Sequence, residues 1–263
     1  MSKHIRFSHN RNAWPTLPDG SPLARYGILE GDRVYETDSL WSTEKGGEFP
    51  LSDLRLLPPC WPSKIVCVGR NYVDHAKELG NPVPAEPLLF YKPVSSLIAG
   101  GDQIVYPPIS QMVSFEGELG LVIGRQARHI PAESAMDYVF GYTIVNDITA
   151  RDLQKKDGQW ARAKGCDTFC PTGPCIVPRA QLEFDSIRIR SWVDGQLEQD
   201  GSVRDMIFHP SVIIAYITQF LTLEPGDLIA TGTPPGVGPV EPGNTVRVEI
   251  EGIGVLENTV IRE

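Results

Sequence analysis

The sequence predicts a β-rich α+β fold, and three observations carry that expectation. Glycine and proline are frequent, 25 and 23 among 263 residues, which favours strands joined by turns over a helical bundle. Short apolar runs alternate with Gly/Pro turns along most of the chain, as where Leu228–Ala230 enters the loop Thr231-Gly232-Thr233-Pro234-Pro235-Gly236. One clear helical pattern interrupts them, Pro210 to Leu223, with proline in its first turn and Val212, Ile213, Tyr216, Ile217 and Phe220 on an apolar side. That stripe reads as core packing. A chain of this length buries one sizeable core, with room for a small appended domain.

In chain order, residues 21 to 57 form a small β unit. Leu23–Leu29, the turn Glu30-Gly31-Asp32 and Arg33–Glu36 make a strand-turn-strand pattern. The connector Leu57-Pro58-Pro59-Cys60-Trp61-Pro62 extends neither neighbour, because proline lacks a backbone donor. It separates an N-terminal β domain, 1–60, from a main domain, 61–263. Lys64–Gly69 opens the main domain as a buried strand, and Tyr72–Leu79 is a short helix that Gly80 ends. Tyr142–Asp147 is a strand entering a helix, Ile148–Lys156, where Thr149 and Asp152 have the spacing of a capping box. Thr245–Glu251 and Gly254–Ile261 close the chain as an antiparallel pair.

Composition excludes several classes. A formal charge of −9 with no basic stripe argues against a nucleic-acid surface. It also means that an anionic substrate must be captured by a local cluster of cations rather than by long-range attraction. Met1–Phe7 lacks the apolar core of a signal peptide, and no run reaches the roughly 18 apolar residues of a membrane helix. The five cysteines are odd in number and lack disulfide or zinc spacing, as expected of free thiols in a reducing cytoplasm.

The chemistry concentrates at Phe115-Glu116-Gly117-Glu118-Leu119-Gly120-Leu121, two carboxylates inside an apolar run. Alternation puts Glu116 and Glu118 on one face of a strand, with the small Gly120 and Gly124 leaving room beyond them. Two neighbouring anions in a poorly solvated place require compensation, since burial costs several kcal/mol per ion. A solvent-facing stripe would account for the pair alone. Asp147, at the end of the second strand, adds a third carboxylate, and three converging oxygens suit Mg²⁺ or Mn²⁺ rather than zinc. His75 and Glu78, three apart on the short helix, face the same way, so the carboxylate can orient an imidazole that activates water. Lys92 and Lys164 lie beside Gly/Pro turns, and Arg70 and Arg151 have guanidinium groups suited to a carboxylate. The Thr231–Gly238 loop offers hydroxyls and N–H groups to an oxyanion without forming a Walker loop.

Together, Gly69-Arg70-Asn71-Tyr72 with His75 and Glu78, Glu116-Gly117-Glu118, Asn146-Asp147, Gln159-Trp160 to Pro171, and Thr231-Gly232-Thr233-Pro234 resemble the fumarylacetoacetate hydrolase family, in its small prokaryotic branch. The resemblance runs from about Pro62 to the carboxyl terminus. It implies a mixed β-roll core and a homodimer. It also implies Mg²⁺ or Mn²⁺ on Glu116, Glu118 and Asp147, and a His75–Glu78 pair on a lid that orders over substrate and activates water. Lys92, Lys164 and Thr233 would contact the oxygens of a small dicarbonyl or keto-acid substrate, with Lys164 or water returning a proton to the product enolate. Carbon–carbon hydrolysis of an acylpyruvate is the preferred reaction. Oxaloacetate decarboxylation and isomerisation of 2-hydroxyhepta-2,4-diene-1,7-dioate are the alternatives, and a non-catalytic keto-acid binder is the remote one.

Overall fold

The computed structural model describes residues 1–9, 24–78, 80 and 82–263, so residues 21–23 of the expected small β unit, among them Leu23 of its first strand, and Leu79 of the short helix lie outside the described residues. Mixed sheets with few helices make up the fold, as the Gly/Pro-punctuated pattern predicts. The chain starts with five strands, β1 (Lys3–Ser8), β2 (Arg25–Glu30), β3 (Arg33–Thr37), β4 (Glu48–Pro50) and β5 (Arg55–Leu57). Glu30 opposite Arg33 closes the expected β2–β3 hairpin on Gly31-Asp32. Past the proline connector, β6 (Ile65–Gly69) leads through α1 (Val73–Glu78) to its antiparallel neighbour β7 (Leu88–Lys92).

Short strands β8 (Leu97–Ile98), β9 (Gln103–Tyr106) and β10 (Val113–Ser114) precede the central pair. That pair is β11 (Gly117–Ile123) and β12 (Val139–Asn146), antiparallel with Gly117 opposite Asn146 and separated by the turn α2 (Ala132–Ala135). Every residue of β11 is buried. Then come β13 (Thr149–Ala150), α3 (Arg151–Asp157), α4 (Ala161–Lys164) and β14 (Cys170–Pro178). The hairpin β15 (Arg188–Val193) and β16 (Gln196–Ser202) precedes α5 (Pro210–Thr218). The chain ends with β17 (Leu228–Ala230), β18 (Pro239–Val240), β19 (Thr245–Ile250) and β20 (Gly254–Arg262).

The largest sheet runs β4-β3-β2-β1-β14-β12-β11-β17-β6-β7, so the N-terminal strands continue it through the β1–β14 pairing. A second sheet, β16-β15-β19-β20-β9, packs on its central strands, and the small sheet β13-β10-β18 lies beside the carboxylates. Gly117 explains how closely the first two sheets approach. A Cβ there would sit 2.3 Å from Ser191 Oγ on β15 and 3.0 Å from Val248 on β19, so no side chain fits between the two glutamates. The main core joins these faces through Leu119, Leu121, Ile144, Ile189, Val248 and the inner face of α5.

Four local expectations need correction. Helix α5 ends at Thr218 rather than Leu223, and its buried side is Ile213, Ile214 and Ile217, with Val212 and Phe220 exposed. Both stripes have helical spacing, and only contact with the sheets selects one. Ile148–Lys156 is not one helix: Thr149 and Ala150 pair with Ser114 and Val113, and the helix starts at Arg151. The capping box is absent, because the Thr149 hydroxyl donates to Asp147 O and Asp152 accepts from Ser110 Oγ and Gln111 N. The space expected above Gly120 and Gly124 is filled, by Thr143 and Val145 against the first and Phe140 against the second. All five cysteines are free, as their spacing predicts, and burial pushes the Cys60 thiol up to about 12. Among the described residues no helix is long and apolar enough to cross a membrane.

Candidate active site

Two paired strands bring the carboxylates together. Glu116 and Glu118 flank Gly117 at the start of β11, and Asp147 follows β12, with the Asp147 N–H donating to Glu116 O at 2.8 Å. One oxygen from each of Glu116, Glu118 and Asp147 lies within 4.8 Å of the others, and all three residues are buried. Solvent-facing stripes do not look like this, so the structure excludes that explanation of the pair.

Three cations surround two of the three anions, Glu116 and Asp147. Lys92, at the end of β7, reaches Asp147 Oδ1 at 2.5 Å and donates to the carbonyls of Ile148 (3.0 Å) and Lys164 (2.6 Å). Lys164, at the end of α4, bridges Glu116 Oε2 (2.8 Å) and Asp147 Oδ2 (2.6 Å). Arg151, the first residue of α3, pairs with Glu116 Oε1 and donates to Gln154 Oε1 at 3.1 Å. Burial opposes the charge on Glu116, yet Arg151 and Lys164 hold its carboxyl well below the usual range. Burial opposes the Lys164 ammonium too, and the carboxylates of Asp147 and Glu116 raise its pKa.

Glu118 stands apart. Among the described residues its one hydrogen-bond donor is the Gly232 N–H at 2.8 Å, and burial, then the charges of Asp147 and Glu116, drive its pKa far up. A carboxyl so placed needs more positive charge than the chain supplies. That need, beside two further carboxylate oxygens already bridged by an ammonium, is what a divalent cation satisfies. The residues fit an oxygen-ligated metal of the Mg²⁺ or Mn²⁺ kind.

Above the carboxylates is a cavity of about 370 Å³. Helix α1 brings His75 and Glu78 to it, with His75 Nδ1 3.6 Å from Glu78 Oε2. The Gly236 N–H donates to both Glu78 oxygens, at 3.1 and 3.2 Å, tying α1 to the Gly/Pro loop after β17. Gly80, in the left-handed region at φ 67°, turns the chain after α1, and its N–H donates to Lys77 O. Of the other expected residues, Arg70, Arg151, Lys164 and Thr233 line the cavity. Lys92 does not: it lies 2% exposed behind Asp147, with its ammonium donors engaged by protein oxygens. The Thr233 hydroxyl donates to Gly117 O and accepts from Gln199 Nε2, so its proton is committed within the protein.

Sequence reasoning missed Gln154 and Gln199, and gave Trp160, which lines the cavity, no role beyond the motif it belongs to. Gln154 is three residues past Arg151 on α3 and was findable from that spacing. Buried Gln199 on β16 was not. Its Oε1 accepts from Gly117 N and Ser191 Oγ, and its Nε2 donates to Thr233 Oγ1 and Pro234 O. Four hydrogen bonds saturate the amide and lock the strand of the two glutamates to the Thr233 loop.

The histidines imply a pH dependence. Burial lowers the pKa of His75, His4 and His209 below the ordinary imidazole value of 6.5; for His75 the charge of Glu116 pulls the other way without prevailing. Below 6.5 the unfolded chain therefore binds more protons than the folded one, until the depressed folded values are reached. Stability from these groups is complete above that window and is lost as the pH falls through it. In Glu118→Gln, which removes the opposite slope of that raised carboxyl, the melting temperature is expected to drop between about pH 7 and pH 5.5 in scanning calorimetry. A flat profile there would contradict the burial of these rings.

The β-roll and its buried acid cluster under a His/Glu pair define a class of enzyme, and sequence comparison supplies the family. The profile of the fumarylacetoacetate (FAA) hydrolase C-terminal family matches residues 64–261, and that of the Rv2993c-like N-terminal family matches residues 3–59. This chain belongs to the fumarylacetoacetate hydrolase family. Protein Rv2993c of Mycobacterium tuberculosis is 49% identical over 222 residues, 84% of each chain. The human mitochondrial oxaloacetate tautomerase FAHD2B is 44% identical over 223 residues, 81% of this chain and 71% of that protein. The 2-hydroxyhepta-2,4-diene-1,7-dioate isomerase from Mycobacterium marinum superposes with a TM-score of 0.86 at 40% identity, covering 100% of this chain and 99% of that one.

Proposed function

We propose that the chain forms and protonates enolates of small 2-keto acids bearing a second carbonyl two carbons away, with hydrolysis of the carbon–carbon bond of an acylpyruvate as the preferred overall reaction. One observation carries this reading: a buried imidazole paired with a carboxylate faces the same cavity as the acid cluster. A divalent cation held by Glu116, Glu118 and Asp147 supplies Lewis-acid charge beside the keto-acid oxygens when bound.

The chain's own groups then act as follows. Glu78, 3.6 Å from Nδ1, would accept from that nitrogen as α1 closes on the substrate, which leaves Nε2 to take a proton from water. The hydroxide oxygen bonds to the distal carbonyl carbon, and that carbon's bond to the central carbon breaks. Its electron pair becomes the pyruvate enolate, and the central carbon takes a proton from Lys164 or solvent. Arg151 and Arg70 line the cavity that receives the carboxylate.

The same groups serve a second reading without attacking water, in which His75 moves a proton between oxaloacetate's carbon and its enol. The 44% identity to a protein named oxaloacetate tautomerase favours it. An NMR time course with acetylpyruvate and with oxaloacetate, each with Mg²⁺ and with EDTA, tests both. Acetate plus pyruvate from acetylpyruvate, lost in EDTA, is the expected result. Enol–keto exchange of oxaloacetate with no acetate released would replace hydrolysis by tautomerisation. Silence on both substrates would remove the proposal.

A further inference from the structure

The strand that carries the two glutamates has two edges, and they are held differently. On one edge β12 supplies the partners: Asn146 Oδ1 accepts from the Glu116 N–H at 3.0 Å, and the Asp147 N–H donates to Glu116 O. On the other edge β17 pairs with β11 only over Gly120–Val122. The Thr231 N–H still reaches Leu119 O, and Gly232, at φ 96°, then turns the chain away. Main chain meets main chain again only where the Phe115 N–H donates to Gly238 O. Alternation along the strand turns the N–H and C=O of Gly117 toward the gap between these contacts. Buried there, both groups require partners.

Side chains fill the gap. The Gly117 N–H donates to Gln199 Oε1 at 3.0 Å, Gln199 Nε2 donates to Thr233 Oγ1 at 2.7 Å, and the Thr233 hydroxyl donates to Gly117 O at 2.8 Å. Three hydrogen bonds thus close a ring through one residue of β11. Backbone chemistry fixes every direction in it, because an N–H only donates and a C=O only accepts. Turning the amide over would set its NH₂ group against the Gly117 N–H. Ser191 Oγ donates to Oε1 from β15 at 2.8 Å, and Nε2 also donates to Pro234 O at 2.8 Å. The hairpin carrying Gln199 is seated on that same loop: a Cβ at Gly201 would lie 2.3 Å from Pro234, and one at Gly236 would lie 2.1 Å from Glu198 O.

We infer that Gln199 is a positioning residue for the acid cluster: its amide replaces the missing strand partner at Gly117 and so holds Glu116 and Glu118 at the spacing a divalent cation needs. Gln199 is not among the residues that line the cavity, so it acts through Gly117 and Thr233. An amide from the second sheet lets β17 turn away without leaving the glutamate strand unpaired. The inference rests on the metal reading of the cluster and not on which keto acid reacts.

Titration calorimetry of Mn²⁺ into metal-free protein, with the electron paramagnetic resonance spectrum of the bound ion, tests this at a temperature where circular dichroism shows each variant folded. Gln199→Met keeps the side-chain length and removes the amide. Its Mn²⁺ dissociation constant is expected to rise roughly 10- to 100-fold, the usual cost of losing a group that orients a metal ligand, with a changed spectrum. Gln199→Asn, one methylene shorter, spans to Gly117 or to Thr233 but not to both; it is expected to lose affinity as well, and it carries the test if the Met variant does not fold. Leu197→Ala, half-exposed on the same hairpin, should bind within about twofold of wild type.

A folded Gln199→Met protein with wild-type affinity and spectrum would overturn the assignment and leave Gln199 a purely structural residue. So would an equal loss in Leu197→Ala. Wild type that binds no Mn²⁺ would remove the metal reading and the assignment together. Gln199-dependent affinity in a protein silent toward acetylpyruvate and oxaloacetate would uphold the assignment and remove only the reaction.

Discussion

His75→Ala is expected to lower turnover by roughly 10²- to 10⁴-fold, the usual range for loss of a general base. Geometry makes this the largest catalytic effect. His75 is 4% exposed on α1, faces the cavity, and has Glu78 3.6 Å from Nδ1. Burial lowers its pKa, so the ring is neutral near pH 7 and able to accept a proton. Its Nδ1 makes no hydrogen bond, so truncation leaves no buried partner of that atom unpaired. The melting temperature should therefore change little while steady-state turnover collapses. Glu78→Gln should lose less, since it removes the orienting charge and keeps the base. Turnover within threefold of wild type in His75→Ala would eliminate the base role, whichever substrate the enzyme prefers.

The largest stability effect is expected at Asp147. Its two oxygens hold the ammonium groups of Lys92 and Lys164, both 2% exposed. Asp147→Ala leaves Lys92 with two carbonyl partners and no carboxylate. Removing one member of a buried ion pair costs about 3–5 kcal/mol, because an uncompensated charge remains. For a chain of this size that corresponds to a fall in melting temperature of roughly 6–20 °C. Scanning calorimetry in EDTA isolates this from any contribution of bound metal. The double variant Lys92→Met/Asp147→Ala should recover part of the loss, since the stranded ammonium is gone; a strictly additive cycle would show that the pair is not coupled. An Asp147→Ala protein that melts like wild type in EDTA would mean that Asp147 serves only as a ligand.

These two expectations differ in how far the sequence reaches. His75 and Glu78 lie three residues apart, so a helical reading pairs them directly, and Glu116 and Glu118 are paired by strand alternation in the same way. Asp147 needed one more step, recognition of a strand over Tyr142–Asp147 with that carboxylate at its end. Each of these residues announces itself within a short window. The hairpin on Gly31-Asp32 and the β19–β20 pair were legible for the same reason, because local periodicity and turn chemistry specify them.

Other features lie beyond any window. Lys92 and Lys164 look alike in sequence, each beside a Gly/Pro turn; only the folded chain places one behind Asp147 and the other between two carboxylates. The proton of Thr233 is committed to Gly117 O, 116 positions away, and Gln199 gives no sign in its strand of the four bonds that saturate it. Helix α5 shows two plausible apolar stripes, and the sheets against it bury the one through Ile213, Ile214 and Ile217.

The sequence by itself therefore determined the β-rich architecture, the family, and the residue types that gather as an acid cluster beneath a His/Glu pair. Tertiary structure alone decided which cations the acid cluster neutralises, Lys92, Lys164 and Arg151, and which line the cavity outside it, Arg70 and Lys155. The physical reason is range. Periodicity and turn preferences act over a few residues along the chain, whereas hydrogen bonds and buried ion pairs act over about 3–4 Å in space, between segments that only folding brings together.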